Sequence, residues 1–414
     1  MDKKDSVILG YDMVSPLGAE MGQQWDRASR GESGVGPLTR FPMDDQFPVR
    51  VAGQVAEIDV DPFPFLKPRE LAHWTSPIFK HSLLVVHRAL KAGGIEITPD
   101  IAPRVAVTFS SAVGGLDAVL RADRLMVSDH KLPHPFTNPN SCINMVGGKV
   151  SILTGATGPI TATITACATG CTSMIIGAMF IRMDLADVVI CGAADFCLVE
   201  PILAGFATMN GAMKHKAGEP VEPEKASRPF SLDRKGFIVS EGAGCVIIAS
   251  REFAAAHGLR PSLEIAGWGM SSDASHFVAP NHDTVKRCVT ESISRAGIAP
   301  SDIGSVNAHA TSTKIGDKIE SDVLREVFPG RVPPVTANKS LIGHAMGASS
   351  ALESIFAMEG MIRGAVLPTI NYIPDPEIDL PVATELLGRD QEFLLKNSFG
   401  FGGCNSCIVF KRTS

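Results

Sequence analysis

The chain has 414 residues, 45% of them hydrophobic and 20% charged, with a formal net charge of −6. That length buries a large core, and the acidic balance excludes the basic footprint that nucleic-acid binding needs. No Pro/Gly/Ser-rich linker or run of charge interrupts it, which excludes a string of tethered modules.

The opening Met1-Asp2-Lys3-Lys4-Asp5 leads straight into an apolar strand, Val7 to Leu9, without the long apolar core of a signal peptide, so a cytoplasmic protein is expected. Strand-like runs follow at Val105 to Phe109, Val188 to Cys191 and Cys245 to Ala249, and they alternate with helical segments such as Ser82 to Ala92. That alternation is the mark of an α/β fold. Ser151 to Ile181 carries no charge, but its Thr, Gly, Ser and Pro residues are costly to place in lipid as one helix. Buried core around a functional site is expected there, and no membrane insertion.

Cys167 lies in Thr165-Ala166-Cys167-Ala168-Thr169-Gly170, between a β-branched run (Ile160, Thr161, Thr163, Ile164) and a small and apolar helical stretch, Gly170 to Ile181. A thiol at a strand-to-helix turn meets unpaired N–H groups and the positive end of the helix dipole, which favour the nucleophilic thiolate. The nine cysteines are expected as free thiols. Cys404 and Cys407 form a C-x-x-C without a second pair, and the strand-like Ile408-Val409-Phe410 after them would set the two side chains on opposite faces. No metal site is expected.

Three later segments form a set. Val306-Asn307-Ala308-His309-Ala310-Thr311-Ser312-Thr313 is a short strand ending in a polar turn with a histidine at its tip. Val335-Thr336-Ala337-Asn338-Lys339-Ser340-Leu341-Ile342-Gly343-His344 is a strand followed by Lys339 and His344 at the start of a helical segment. Asn397-Ser398-Phe399-Gly400-Phe401-Gly402-Gly403 reads as a glycine-rich turn whose N–H groups can point at a ligand. The stretches Ile160 to Met183 and Val335 to Met361 echo one another as strand, polar turn and small-residue helix. Gly170, Gly177 and Ala178 in the first helix, and Gly347, Ala348 and Ala351 in the second, are small enough for close helix approach.

Together these motifs resemble the elongating β-ketoacyl-acyl-carrier-protein synthases of the thiolase superfamily, from Met13-Val14-Ser15-Pro16-Leu17-Gly18 to Phe410. The resemblance implies a pseudo-duplicated five-layer α/β/α/β/α fold, with an N-terminal half over 1–250 carrying the nucleophile and a C-terminal half over 251–414 carrying the histidines and lysine. It implies decarboxylative Claisen condensation of a Cys167-bound acyl group with malonyl-acyl-carrier-protein, in fatty-acid or polyketide-type synthesis. Cys167 and Phe401 match the N–H groups of the oxyanion hole, His309 and His344 the donors to the enolate, and Lys339 an electrostatic support. Asp317 and Glu320 match structural acids near that lysine, and Thr311 and Thr313 match contacts to the pantetheine arm. Val113 matches a residue of the acyl tunnel, and Phe401 also matches its gate. The resemblance implies no cofactor beyond the carrier's phosphopantetheine, acyl carrier protein as partner, and a homodimer, with a heterodimer with a second synthase-like chain also compatible.

Several positions depart from the family pattern: Leu9-Gly10-Tyr11-Asp12 in the first strand, Ala168 and Thr169 after the nucleophile, Ser240, Ala310 and Cys404. None removes a catalytic side chain, but they leave the pathway and acyl chain length open. Two other functions compete. A thiolase acting on coenzyme A esters would use Cys404 as a second cysteine, and a non-catalytic chain-length-factor-like subunit would lack the nucleophile that Cys167 supplies.

Overall fold

The computed structural model describes residues 4–59, 63, 65–216 and 218–413, so Met1, Asp2 and Lys3 of the N-terminal reading lie outside the described residues. The first half runs β1 (Ser6–Val14), α1 (Pro77–Ala92), β2 (Val105–Ser110), α2 (Leu116–Asp129), α3 (Asn144–Thr154), β3 (Ile160–Thr161), α4 (Thr169–Arg182), β4 (Val188–Asp195) and β5 (Gly242–Ser250). The second runs β6 (Leu263–Ser272), α5 (His282–Ala296), β7 (Ile303–Asn307), α6 (Lys314–Val327), β8 (Val335–Thr336), α7 (Met346–Arg363), β9 (Phe393–Gly400) and β10 (Cys404–Arg412).

The strand order is β8-β7-β9-β10-β6-β1-β5-β4-β2-β3. Read outward from the β6–β1 join, the two halves repeat the same order and the same pairing: β2 is parallel to β3 and β4, while β5 is antiparallel to β4 and β1, and β7 to β10 with β6 repeat this. The faint echo in the sequence is therefore a duplication of topology. The halves meet through a short antiparallel contact of Ser6–Ile8 with 263–265.

Five layers follow from where the apolar faces lie. Strands β2, β4 and β5 are buried along their whole length, which requires cover on both faces. Helices α1 and α3 cover the outer face of the first half and α5 that of the second, with α6 packed on α5. Between the halves lie α4 and α7, which pack on each other and touch strands of both. A helix enclosed on all sides has no polar stripe, and α7 is buried from Met346 through Met358. Small residues allow this approach, for a Cβ on Gly170 would sit 2.4 Å from the Ala351 nitrogen.

Three expectations need correction. Strand β3 covers only Ile160–Thr161; beyond it the Thr165 N–H donates to Thr169 Oγ1 and the Thr165 hydroxyl bonds that of Thr172, which ties the chain to the start of the next helix rather than to the ladder. Asn397 to Gly400 belong to β9, bonded to β10 along its length, so the glycine turn is confined to Phe401–Gly403. The uncharged segment is buried in α4, but Ile152, Ile160 and Ile164 are exposed beside the open edge of β3 (75%, 48% and 46%). No helix among the described residues is long and apolar enough to cross a membrane.

Candidate active site

The position of Cys167 is built by local strain and hydroxyl bonds. Ala166 sits at φ +47°, a conformation that costs an L-residue about 1–2 kcal/mol. The cost is offset by bonds that fix the elbow: the Thr165 N–H donates to Thr169 Oγ1 (3.1 Å), Thr169 Oγ1 donates to the Ala166 carbonyl (2.7 Å), and Ser398 Oγ donates to the Cys167 carbonyl (3.2 Å). Cys167 thereby occupies a single tight turn, Ala166–Ala168, directly before α4.

His344 is clamped by its backbone. Its N–H donates to the Ile238 carbonyl at 2.7 Å and its carbonyl accepts from the Ser240 N–H at 2.9 Å. The ring then lies with Nε2 3.0 Å from Cys167 Sγ and Nδ1 2.8 Å from Ser349 Oγ. His309 follows β7, and its N–H donates to Glu320 Oε1 at 2.9 Å. Its ring stands edge-on to that of His344, with centroids 5.9 Å apart. One ligand atom from each of Cys167, His309 and His344 lies within 4.8 Å of the other two.

Lys339 is fully buried behind His309. Its Nζ donates to the His309 carbonyl at 2.6 Å and lies 3.5 Å from Nδ1, which leaves the His309 proton on Nε2, the nitrogen free to face a ligand. The carboxylate of Glu353 pairs with Lys339 through one oxygen and with Lys396 through the other, at 2.7 Å for the latter. Glu353 and Lys396 were not singled out in the sequence, nor was Ser349. Asp317 and Glu320 make no ion pair with Lys339. They accept N–H groups of the histidine loop instead, Glu320 from His309 and Ala310 and Asp317 from Thr311, and Asp317 also accepts the Phe230 N–H of a separate segment, so both shape that loop.

Charge in the site differs from the sequence expectation. Burial pushes the Cys167 thiol up to about 11, although the Lys339 charge and the N–H groups of Phe401 and Cys167 favour its anion. Desolvation outweighs the helix start. Burial, and then the Lys339 cation, hold both imidazoles well below the usual histidine range. Burial thus disfavours the charged forms of the thiol and of both imidazoles.

A cavity of about 630 Å³ opens onto the sulfur. Cys167, His309, His344, Thr311 and Thr313 line it, as do Val113 and Phe401. The Thr311 and Thr313 hydroxyls lie 3.0 Å apart, and the half-buried Phe401 ring is 6.5 Å from that of Phe237. Lys339, Asp317 and Glu320 stand behind the wall. Cys404 is not among the lining residues, which removes the second cysteine that a thiolase reading needs. Cys407 faces the opposite side of β10, 3.5 Å from Cys288.

The comparisons agree with this geometry. Residues 3–254 match the family described as beta-ketoacyl synthase, N-terminal domain, and residues 263–373 match beta-ketoacyl synthase, C-terminal domain. A 3-oxoacyl-[acyl-carrier-protein] synthase 2 from Coxiella burnetii is 34% identical over 419 residues, covering 100% of this chain and 99% of the relative. Among solved structures, the ishigamide ketosynthase/chain length factor is 26% identical with a TM-score of 0.90, covering 100% of both chains. A beta-ketoacyl synthase from Burkholderia phymatum STM815 is 27% identical with a TM-score of 0.90, covering 99% of this chain and 100% of its own. Fold, site and similarity together make this chain a member of the β-ketoacyl synthase family.

Proposed function

We propose that the chain extends an acyl group by two carbons, with Cys167 as nucleophile and His309 and His344 as donors to the malonyl enolate. The observation that carries this reading is the convergence of Cys167 Sγ with both imidazoles at one cavity. The thiol proton passes toward His344 Nε2, 3.0 Å away, as sulfur attacks the incoming thioester. The carrier thiolate leaves and takes a proton from solvent, the acyl group remains on Cys167, and His344 keeps the thiol proton on Nε2. Malonyl thioester next loses CO₂, and its electron pair becomes an enolate held by the two histidine N–H groups. The enolate carbon attacks the acyl-Cys167 carbonyl, whose oxygen is received by the N–H groups of Phe401 and Cys167, and the Cys167 sulfur leaves as a thiolate that takes the proton back from His344 Nε2. The acyl groups travel on the phosphopantetheine of acyl carrier protein, which Thr311 and Thr313 bind, and no further cofactor takes part.

Val113 and Phe401 bound the acyl end. The exposed Ile152, Ile160 and Ile164 beside the open β3 edge support a homodimer. A sedimentation experiment showing a stable monomer at micromolar concentration would contradict that assembly. Mass spectrometry of Cys167 after incubation with a panel of acyl carriers tests the activity. An acyl adduct on the parent protein and none on Cys167→Ala is expected, followed by condensation with malonyl carrier but not with acetyl-coenzyme A. An adduct on Cys167→Ala overturns the assignment.

A further inference from the structure

We propose that Asp195 is a positioning residue for this reaction: one buried carboxylate ties the acyl-facing loop 111–113 to the first turn of α7, and so sets the acyl end of the cavity together with the segment that carries His344. The inference rests on the condensing reading above.

The geometry is specific. Asp195 ends β4, is fully buried, and has its two oxygens filled by donors from two segments distant in sequence. Oδ1 accepts from Ser111 Oγ (2.6 Å) and the Val113 N–H (3.0 Å). Oδ2 accepts from the Ala112 N–H (3.1 Å) and the Ala348 N–H (3.2 Å). Ala112, Val113 and Met346 all line the cavity, and Met346 is held at φ +46°. The helix start docks here at closest approach, since a Cβ on Gly347 would lie 2.8 Å from Oδ2.

No cation pairs with Asp195 among the described residues, so its charge is met by N–H dipoles and the N-terminal end of α7. Burial raises its pKa to about 6 while the four donors oppose that, which leaves the group ionised at neutral pH. Its charge acts against ionisation of Cys167 and of Cys197, and Glu241, beside the Gly242 that pairs with Asp195 in the sheet, also acts on Cys197. An amide is a poor replacement: turned one way its NH₂ meets the Ala112 and Ala348 N–H groups, and turned the other it meets Ser111 Oγ, which can reverse to accept, and the Val113 N–H, which cannot.

The test compares the parent with Asp195→Asn and Ser111→Ala in two assays, acyl transfer to Cys167 across carrier chain lengths and alkylation of Cys167 by iodoacetamide at fixed pH. Asp195→Asn is expected to lose about tenfold more transfer of dodecanoyl than of acetyl groups. Its Cys167 is expected to alkylate faster, because the opposing charge is gone. Ser111→Ala, which removes one donor and keeps the charge, should shift the length profile in the same direction by less and leave alkylation near the parent rate. A loss uniform across chain lengths with alkylation slowed is what a merely structural role predicts, and it overturns the inference, as does an unchanged profile in Ser111→Ala if Asp195→Asn does not fold. Alkylation needs no condensation, so a parent that transfers no acyl group refutes the earlier reading while faster alkylation of Asp195→Asn still supports the charge placement.

Discussion

His309→Ala and His344→Ala should separate the two half-reactions, because the two rings stand differently to the sulfur. His344 Nε2 lies 3.0 Å from Cys167 Sγ, whereas the Nδ1 side of His309 is held by Lys339 at 3.5 Å and its free nitrogen faces the cavity. Both nitrogens can donate to an enolate oxygen, and loss of one such donor costs about 10²–10³ in rate, or about 2.7–4 kcal/mol. Decarboxylation of malonyl carrier should fall by that factor in either variant. Acylation of Cys167 should stay near the parent rate in His309→Ala. In His344→Ala it should also fall, by about 10²–10⁴, because the group that accepts the thiol proton is gone. Burst measurement of the acyl adduct and release of labelled CO₂ read the two steps separately. If His309→Ala slows acylation as much as decarboxylation, the division of roles argued from these distances is wrong.

Three further outcomes follow from the same site. Glu353→Gln leaves the buried ammonium groups of Lys339 and Lys396 sharing one neutral partner, so unfolding in denaturant should show a loss of about 3–5 kcal/mol, and a loss below about 1 kcal/mol would deny that the pairs are as dry as they look. Val113→Phe adds bulk to a packed wall, where overpacking costs about 1–3 kcal/mol, so transfer of long acyl chains should fail first while acetyl and butyryl survive; an unchanged length profile would show that Val113 does not bound the acyl group. Because burial lifts the Cys167 thiol to about 11, its protonated form holds at neutral pH and alkylation should climb through pH 8 to 10; a plateau below pH 8 would reveal a preformed thiolate–imidazolium pair.

The residues that line the cavity were legible because each carries its own local signal: Cys167 at a turn among small residues, His309 at the end of a short β-branched run and His344 in the polar turn that follows another. What the sequence hid are groups whose meaning is set only by tertiary contact. Glu353 sits in the apolar helix α7 and Lys396 in the apolar strand β9, and either one alone looks like an error of patterning until the buried pair is seen. Asp195 carries no motif, since its donors come from residues far away in sequence. The upward shift of the Cys167 thiol is hidden in the sequence for a related reason. Helix-end electrostatics is local and readable, whereas desolvation depends on what the rest of the chain packs over the sulfur.

The duplication explains why the chemistry sits where it does. Cys167 stands just before α4 and His344 just before α7, equivalent helices of the two halves, and near each helix start lies a non-glycine residue at positive φ: Ala166 at +47°, one residue before the thiol, and Met346 at +46°, the first residue of α7 and two residues after His344. Because α4 and α7 form the shared middle layer, their starts converge, and a strained turn at each brings the Cys167 sulfur and the His344 imidazole to within 3.0 Å. Such strain persists only where the surroundings over-determine it. Here the Thr165–Thr169 hydroxyl bonds hold the first elbow, and the Ile238–Ser240 clamp with the Asp195 carboxylate holds the second. Each half supplies a rigid turn, and neither half alone contains both the thiol and the imidazole that the reaction requires.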